Sequence, residues 1–565
     1  MLSLDNRWVL SYNGEIYNYR ELRANLEAEG IRFHSQTDTE VVLNALVHWG
    51  PDALLRFNGM FALGLWDRHR QRLLIARDRY GIKPLYYSQQ GQLFAFASEQ
   101  KALIANYNFR RKLNRQALFE YCTFQNIFTD QTLLEDICLL PPGHYATLDL
   151  GSFGSQGLNR YQYWDYQFRE HTGTLSREVA IEELDRLFQQ AVQRQLVADV
   201  ELGSYLSGGM DSASITAIAV RQYPYLKTFT CGFDLSSASG IELAFDERNK
   251  AEAMSAFFKT EHYEMVLKAG DLERCLPSLS WHLEEPRVGQ SYPNFYAAKL
   301  ASKFVKVVLS GSGGDELFAG YPWRYYRAIN CQDFDGYVNS YYHYWQRLLD
   351  AEELRNLFAP IWPSVSDVST LDIFRDVFLD HDNQLETPQD YINHSLYFEA
   401  KTFLHGLFIV EDKLSMAHGL EARVPFMDND LVEFAMRLPV EFKLNNLQHA
   451  LRLNENEAGS KPEAYFQKTS DGKQVLRDAM RRYVPDVVTS AVKQGFSAPD
   501  ASWFKGESID YVRRTLYDRS SPLYEIVDYA MACSLIDQHL NGSRNRRLLI
   551  WSFLNLDAWM KTIHF

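Results

Sequence analysis

The chain has 565 residues, 46% of them apolar and 23% charged, which is globular usage at a length that suits two large folding units or three to four smaller ones. With 58 Lys+Arg against 72 Asp+Glu its formal charge is −14, which argues against a broad nucleic-acid surface. No apolar run reaches the ~18–20 residues of a membrane helix, Asp5 and Arg7 interrupt the start where a secretory signal is apolar, and six scattered cysteines without C-x-x-C suggest neither disulfide framework nor zinc. The expectation is a soluble, cytoplasmic, multidomain protein.

The first 150 residues read as strands with two short helices. Trp8–Tyr12 is apolar and β-prone, and Asn13-Gly14-Glu15 reads as its break. Leu22 and Leu26 place a short amphipathic helix over Arg20–Glu29, stopped by Gly30. A second helix begins near Thr37–Glu40 and ends at Gly50-Pro51. Phe61–Leu65, Leu73–Ala76, Leu85–Tyr87 and Leu93–Ala97 follow as strands, predicting layered sheets with helices outside.

Residues 151–157 (Gly-Ser-Phe-Gly-Ser-Gln-Gly) open a linker over 151–175, and the rhythm then changes. Strand-like Leu202–Leu206, Thr228–Phe233, His262–Leu267 and Val305–Leu309 alternate with helical Ser212–Gln222, Asp246–Phe258 and Pro293–Ser302. That alternation predicts a parallel sheet between helices. From about Tyr321 onward the pattern is helical and aromatic-rich, so 176–565 reads as the second domain.

Two loops carry chemistry. Ser207-Gly208-Gly209-Met210-Asp211-Ser212 lies between a strand and a helix start, where backbone N–H groups, hydroxyls and the helix end favour a phosphate. Ser310-Gly311-Ser312-Gly313-Gly314-Asp315-Glu316 repeats the arrangement after another strand. Loops at the carboxyl ends of parallel strands meet in a crevice, where Asp211 and Asp315 could share Mg²⁺ with a pyrophosphate. The residues alone reach an ATP-pyrophosphate-cleaving ligase.

At these loops the chain resembles the glutamine-dependent asparagine synthetase family, over essentially its whole length. Ser207–Ser212 is similar to that family's pyrophosphatase loop and Leu309–Tyr321 to its second ATP loop. Asp246-Glu247, Ser415–Asp428 and Lys493–Phe496 match further motifs in order, and Tyr12–Asn18, Thr37–Glu40, Asp78–Tyr87 and Phe96–Glu99 resemble its class II glutaminase half. The resemblance implies an α+β then α/β chain. A truncated N-terminal-nucleophile αββα-type sandwich would precede a parallel-sheet PP-loop ATP-pyrophosphatase domain with a helical C-terminal part. It also implies that ATP, with Mg²⁺, adenylates a carboxylate such as aspartate, and that ammonia released from glutamine attacks the adenylate. Only small-molecule partners are expected, with no nucleic acid and no membrane; the oligomeric state stays open, a homodimer included.

Position by position, the resemblance implies that Leu206 and Cys231 touch adenine or ribose. Ser207, Gly208, Gly209 and Ser212 would cradle pyrophosphate, Ser310 and Gly311 meet the nucleotide, and Asp211 and Asp315 hold Mg²⁺. Lys493 would stabilise charge on the leaving pyrophosphate. Asn13 and Gly14 would form an oxyanion hole, and Asp38, with Glu15 nearby, would bind the glutamine ammonium.

The sequence departs from the pattern in three places. Family glutaminases use an N-terminal cysteine, whereas residues 1 and 2 here are Met and Leu and the earliest cysteine is Cys122, a residue read as structural. The expectation is a reading begun at an internal methionine of a longer enzyme; the alternative is a glutaminase-dead, ammonia-using member. Ser312 stands where the family usually has an acid at the adenylate, and serine is no comparable general base. In Glu285-Pro286-Arg287-Val288-Gly289-Gln290-Ser291, the residues after Glu-Pro stand where relatives often have an Asp-Pro-Ser segment after the same Glu-Pro, and Arg287 either suits an extra anionic group or is a surface residue. The acceptor could therefore be another acid, a sugar uronate included. A lactam-forming synthetase of the same architecture and a non-catalytic nucleotide-binding regulator are the remaining rivals.

Overall fold

The structure is a computed structural model and describes residues 1–91, 93–105, 109, 111–151, 157–170, 173, 175–381, 385–447, 471–491 and 497–563. The chain divides into two compact units. The first comprises Met1–Leu113, Asp130–Tyr166 and Met427–Asn429; the second comprises Asn114–Thr129, Gln167–Phe426 and Asp430–Phe565.

The first unit is built on two antiparallel sheets. Five strands run in the order β1 (Trp8–Ile16), β2 (Gly59–Asp67), β3 (Arg72–Arg77), β7 (His144–Asp149), β8 (Asn159–Gln162). Three more run β5 (Leu93–Ala97), β4 (Tyr86–Gln90), β6 (Cys138–Leu139). Alternation along β2 decides the layering. Leu63 and Leu65 face helices α1 (Tyr19–Ala28) and α2 (Asp38–Trp49), against Leu22, Leu26, Val41 and Leu46. Ala62 faces the opposite way, in a second core with Leu85, Tyr87 and Leu140 from around the three-stranded sheet. Gly64 lets the sheets approach, since a Cβ there would lie 2.4 Å from the Phe96 ring. A short helix, Gln100–Ile104, packs on β4 and β5.

The Asn13-Gly14 break is corrected: β1 runs through it to Ile16, with Gly14 opposite Phe61. Glycine serves a close approach here, because a Cβ would stand 2.2 Å from the Met60 carbonyl oxygen. Asp78 knots the loop after β3, accepting hydrogen bonds from the backbone of Phe61, Tyr80, Ile82 and Lys83. Its complete burial raises its pKa against those bonds.

The second unit holds a parallel sheet in the order β11 (Glu261–Leu267), β10 (Lys227–Phe233), β9 (Leu202–Tyr205), β12 (Val307–Leu309), β13 (Glu421–Arg423). Helices α3 (Arg177–Gln195), α4 (Met210–Ala219), α5 (Arg248–Phe258), α6 (Ala269–Leu283) and α7 (Tyr292–Ala301) fill the segments before and between these strands up to β12. Side chains alternate across the sheet. Ser204 accepts a hydrogen bond from Thr216 of α4, while Phe229 and Val308 pack with Ala298 and Ala301 of α7 on the other face. The chain builds β9, β10 and β11 outward, then returns past β9 to lay down β12 and β13. The strand order thus reverses between β9 and β12, where open α/β sheets bind ligands. Among the described residues the stretch after Tyr321 is mostly helical, and β13 is a strand within it. Among the described residues no helix is long and apolar enough to cross a membrane.

Candidate functional site

The turn after β9 and the turn after β12 open on one cavity of about 960 Å³ in the second unit. Leu206, Ser207, Gly208, Gly209, Asp211, Ser212, Cys231, Ser310, Gly311, Ser312 and Asp315 all line it. The first turn is held by its own hydroxyls: Ser212 Oγ accepts from Ser207 N at 3.0 Å, and Ser207 Oγ accepts from Gly209 N at 3.0 Å. Gly209 then caps α4, whose first-turn N–H groups favour an anion. Glycines bring the second turn against the first, because a Cβ on Gly314 would lie 2.7 Å from Asp211 Oδ1 and one on Gly311 3.0 Å from Asp211 Cβ. Lys250 of α5 also faces the cavity and packs on Gly208.

The two acids converge. Lys473 Nζ lies 2.6 Å from Asp211 Oδ2 and 2.5 Å from Asp315 Oδ1, with the lysine side chain 5% exposed. Two carboxylates that share one cationic atom form a hard-oxygen pair of the kind that suits Mg²⁺. The backbone pins Lys473 there. Asp471 accepts from Asn445 N, Gly472 N and the Tyr326 hydroxyl, and Lys473 N donates to the Phe318 carbonyl at 2.9 Å. Gly472 and Lys473 both take left-handed φ, +85° and +57°, which turns the lysine toward the acids. No motif pointed to Lys473, whose partner Asp211 is 262 positions away. Lys493, the lysine read from the sequence, lies outside the described residues.

Ser312 has an acid beside it. Its Oγ donates to Glu411 Oε2 at 2.7 Å and shares a 3.1 Å hydrogen bond with Ser310 Oγ. Glu411 also faces the cavity and was not singled out by the sequence. Arg287 is corrected: its guanidinium is 1% exposed, donating to Glu285 and to the Ile127 carbonyl, while Val288, Gly289, Gln290 and Ser291 face the cavity instead. At the cavity wall Arg324 stacks 3.8 Å over Tyr321 and pairs with Glu399 at 3.1 Å; Arg347 lies beside it on Phe403.

In the first unit the residues read as glutamine-binding gather at one edge. Asp38 caps neither helix end; Thr37 does, accepting from Glu40 N at 3.3 Å. The Asp38 carboxylate instead accepts from the Tyr12 hydroxyl at 2.8 Å and from Ile16 N at 3.2 Å. Phe61 spends both its backbone groups on Asp78, so the Gly14–Phe61 pair is a non-hydrogen-bonded one. The Gly14 N–H therefore points to the same edge as that of Ile16. Asn13 Nδ2 donates to Ser98 Oγ at 3.1 Å, and Glu15 lies between Gly14 and the Asp38-bound Ile16. Cys122, in the second unit, is fully buried and burial pushes its thiol up, away from nucleophilic use.

A helix-flanked antiparallel sandwich in one unit and, in the other, twin small-residue turns at a parallel-sheet switch point define a two-part amidotransferase-type ligase. Comparison with known proteins agrees in both halves: residues 1–164 match the glutamine amidotransferase domain family and residues 183–561 match asparagine synthase. The chain belongs to the asparagine synthase family. A putative glutamine-hydrolysing asparagine synthetase of Mycobacterium tuberculosis is 30% identical over 98% of this chain and 84% of its own length. Asparagine synthetase [glutamine-hydrolyzing] 1 of Bacillus subtilis is 29% identical over 98% of this chain and 85% of its own. The same organism's asparagine synthetase [glutamine-hydrolyzing] 3 is 32% identical over 78% and 71%.

Proposed function

We propose that the second unit adenylates a carboxylic acid, aspartate first among candidates, and that ammonia then displaces AMP to give the amide. The observation that carries this reading is the convergence of Asp211 and Asp315, from two phosphate-type turns, on one cation. Asp211 and Asp315 would hold Mg²⁺, which neutralises phosphate charge as pyrophosphate leaves. Ser207, Gly208, Gly209 and Ser212 would cradle the β and γ phosphates at the start of α4, and Lys250 adds a cation at the same turn. Leu206 and Cys231 would touch adenine or ribose by backbone, and Ser310 and Gly311 would meet the nucleotide; all four line the cavity. Lys473 would turn from the acids to phosphate oxygens when the metal binds, and Lys493 would add charge to the same group. Arg324 and Arg347, on the cavity wall, suit the second carboxylate of a dicarboxylic acceptor.

In the first unit, an N-terminal-nucleophile-type sandwich, the Gly14 N–H and the Asn13 amide would stabilise the oxyanion of glutamine hydrolysis. Asp38, with Glu15, would bind the glutamine ammonium. Incubating the protein with Mg²⁺, ATP, aspartate and ammonium should give AMP, pyrophosphate and asparagine in equal amounts by mass spectrometry. ADP as the nucleotide product would refute adenylation; AMP with another acid but not aspartate would move the acceptor and keep the chemistry.

A further inference from the structure

Helix α8 (Pro388–Phe398) continues through a π-helical stretch, Glu399–Leu404, into α9 (His405–Met416). Phe403, Leu407, Val410 and Glu411 recur on this rod at helical spacing, and all four face the cavity. The first three form an apolar wall, and Glu411 ends it with a carboxylate. That carboxylate is fixed from the other side by the turn after β12. Ser312 Oγ donates to Glu411 Oε2 at 2.7 Å, and the Ser310 hydroxyl bonds the same group. Glu411 is 9% exposed, and the opening it has is into the cavity.

Among the described residues, Ser310 and Ser312 meet it from the turn after β12, and Tyr205 of β9 and Asp412 of its own helix act on it through charge. Burial raises its pKa and Asp412 adds to that, while the two serine hydroxyls oppose. A carboxylate so placed takes up a proton more readily than one in water.

We propose that Glu411 is the proton acceptor of the amide-forming step, held in place by Ser312 and Ser310. The proposal rests on the adenylation reading above. Ammonia's lone pair forms the C–N bond at the acyl carbon of the adenylate. One N–H proton passes to Glu411, and the acyl C–O bond breaks with its electron pair leaving on AMP. The products are amide, AMP and a protonated Glu411, which loses its proton to solvent before the next turnover. Ser312 contributes the hydrogen bond that aims the carboxylate.

The test separates the two half-reactions. Acceptor-dependent ATP–pyrophosphate exchange reports adenylation, and amide yield with ammonium reports the second step. In Glu411→Gln the ratio of amide formation to exchange should fall at least 100-fold, with Glu411→Asp recovering part of it. Ser312→Ala, which keeps the carboxylate but removes one of its two hydroxyl partners, should lower the same ratio about tenfold. Hydroxylamine, a stronger nucleophile that needs less base assistance, should restore product formation in Glu411→Gln to within a few-fold of wild type. Equal losses in exchange and amide formation across the Gln and Ala variants would overturn the assignment, as would a ratio within threefold of wild type. Absence of exchange in the wild-type protein with every acid tried would instead bring down the adenylation reading itself.

Discussion

Lys473 decides whether Asp211 and Asp315 can face one another in the absence of a metal. The two side chains are 14% and 11% exposed, so neither carboxylate is well solvated, and like charges this close repel strongly. The ammonium between them removes that repulsion, and the left-handed turn at Gly472-Lys473 holds it there. Removing one partner of a buried ion pair costs several kcal/mol, less where water and ions can enter. Lys473→Met should therefore destabilise the metal-free protein by about 2–3 kcal/mol in urea unfolding. Millimolar Mg²⁺ should raise the midpoint more in the variant than in the wild type, because the vacated acids then bind the ion without competition. An unchanged midpoint in Lys473→Met would show that the acids do not need the lysine.

The α8–α9 rod shows the same dependence at the level of an element. A π-turn holds one more residue than an α-turn. Deleting Lys401, a half-buried residue whose Nζ donates to the Tyr397 hydroxyl at 2.5 Å, removes the surplus residue. The rod should then close to regular α-helix with α9 kept in phase, because the wide turn spreads one more residue over the same arc. Glu411 would keep its place beside Ser312, so amide formation should stay within about tenfold of wild type while circular dichroism keeps its helical signal; a loss of about 100-fold with the signal intact would show that the wide turn itself positions Glu411. Loss of helical signal with activity would mean that the π-turn serves folding alone. Elements of this kind were only partly legible in the sequence. Strands β9 to β12 and the turns after β9 and β12 stood out because apolar β-prone runs end in small residues and acids there. β13 did not, because Glu421–Arg423 is three residues long and carries two charges, and its pairing with β12 is a long-range event. Asn13-Gly14 reads locally as a turn and becomes strand only because β2 lies against it. Lys473 and Glu411 meet their partners across 262 and 99 positions, so spacing carried no signal for either.

At the scale of the molecule, charge burial leaves a record in the pH dependence of stability. Glu120 is held at about 7 and Asp500 at about 7, in both cases because burial disfavours the ionised form. Glu120 accepts hydrogen bonds from the Phe128 and Thr129 backbone and the Thr129 hydroxyl, and Asp500 accepts from the Tyr292 hydroxyl at 2.9 Å. These bonds favour ionisation but do not cancel the burial. An acid with a raised folded value keeps its proton in the folded state after the unfolded chain has lost it. Its contribution is complete below the unfolded value of ~4–4.5 and is lost as pH rises through about 7. His539, lowered to about 4 by burial, has the opposite sign and gains stability between about 4 and 6.5. Lys443, lowered to about 7, gains only above that pH. Three acids, with buried Glu316 raised to about 8 as the third, outweigh one histidine between pH 5 and 7, so the urea midpoint should fall across that interval and level off as Lys443 begins to contribute. Glu120→Gln keeps the shape and an acceptor oxygen for the Phe128 and Thr129 donors while removing the titration. It should make the decline between pH 5 and 7 shallower by on the order of 2 kcal/mol relative to wild type. A slope unchanged in Glu120→Gln would mean that Glu120 ionises in the folded chain as it does in the unfolded one.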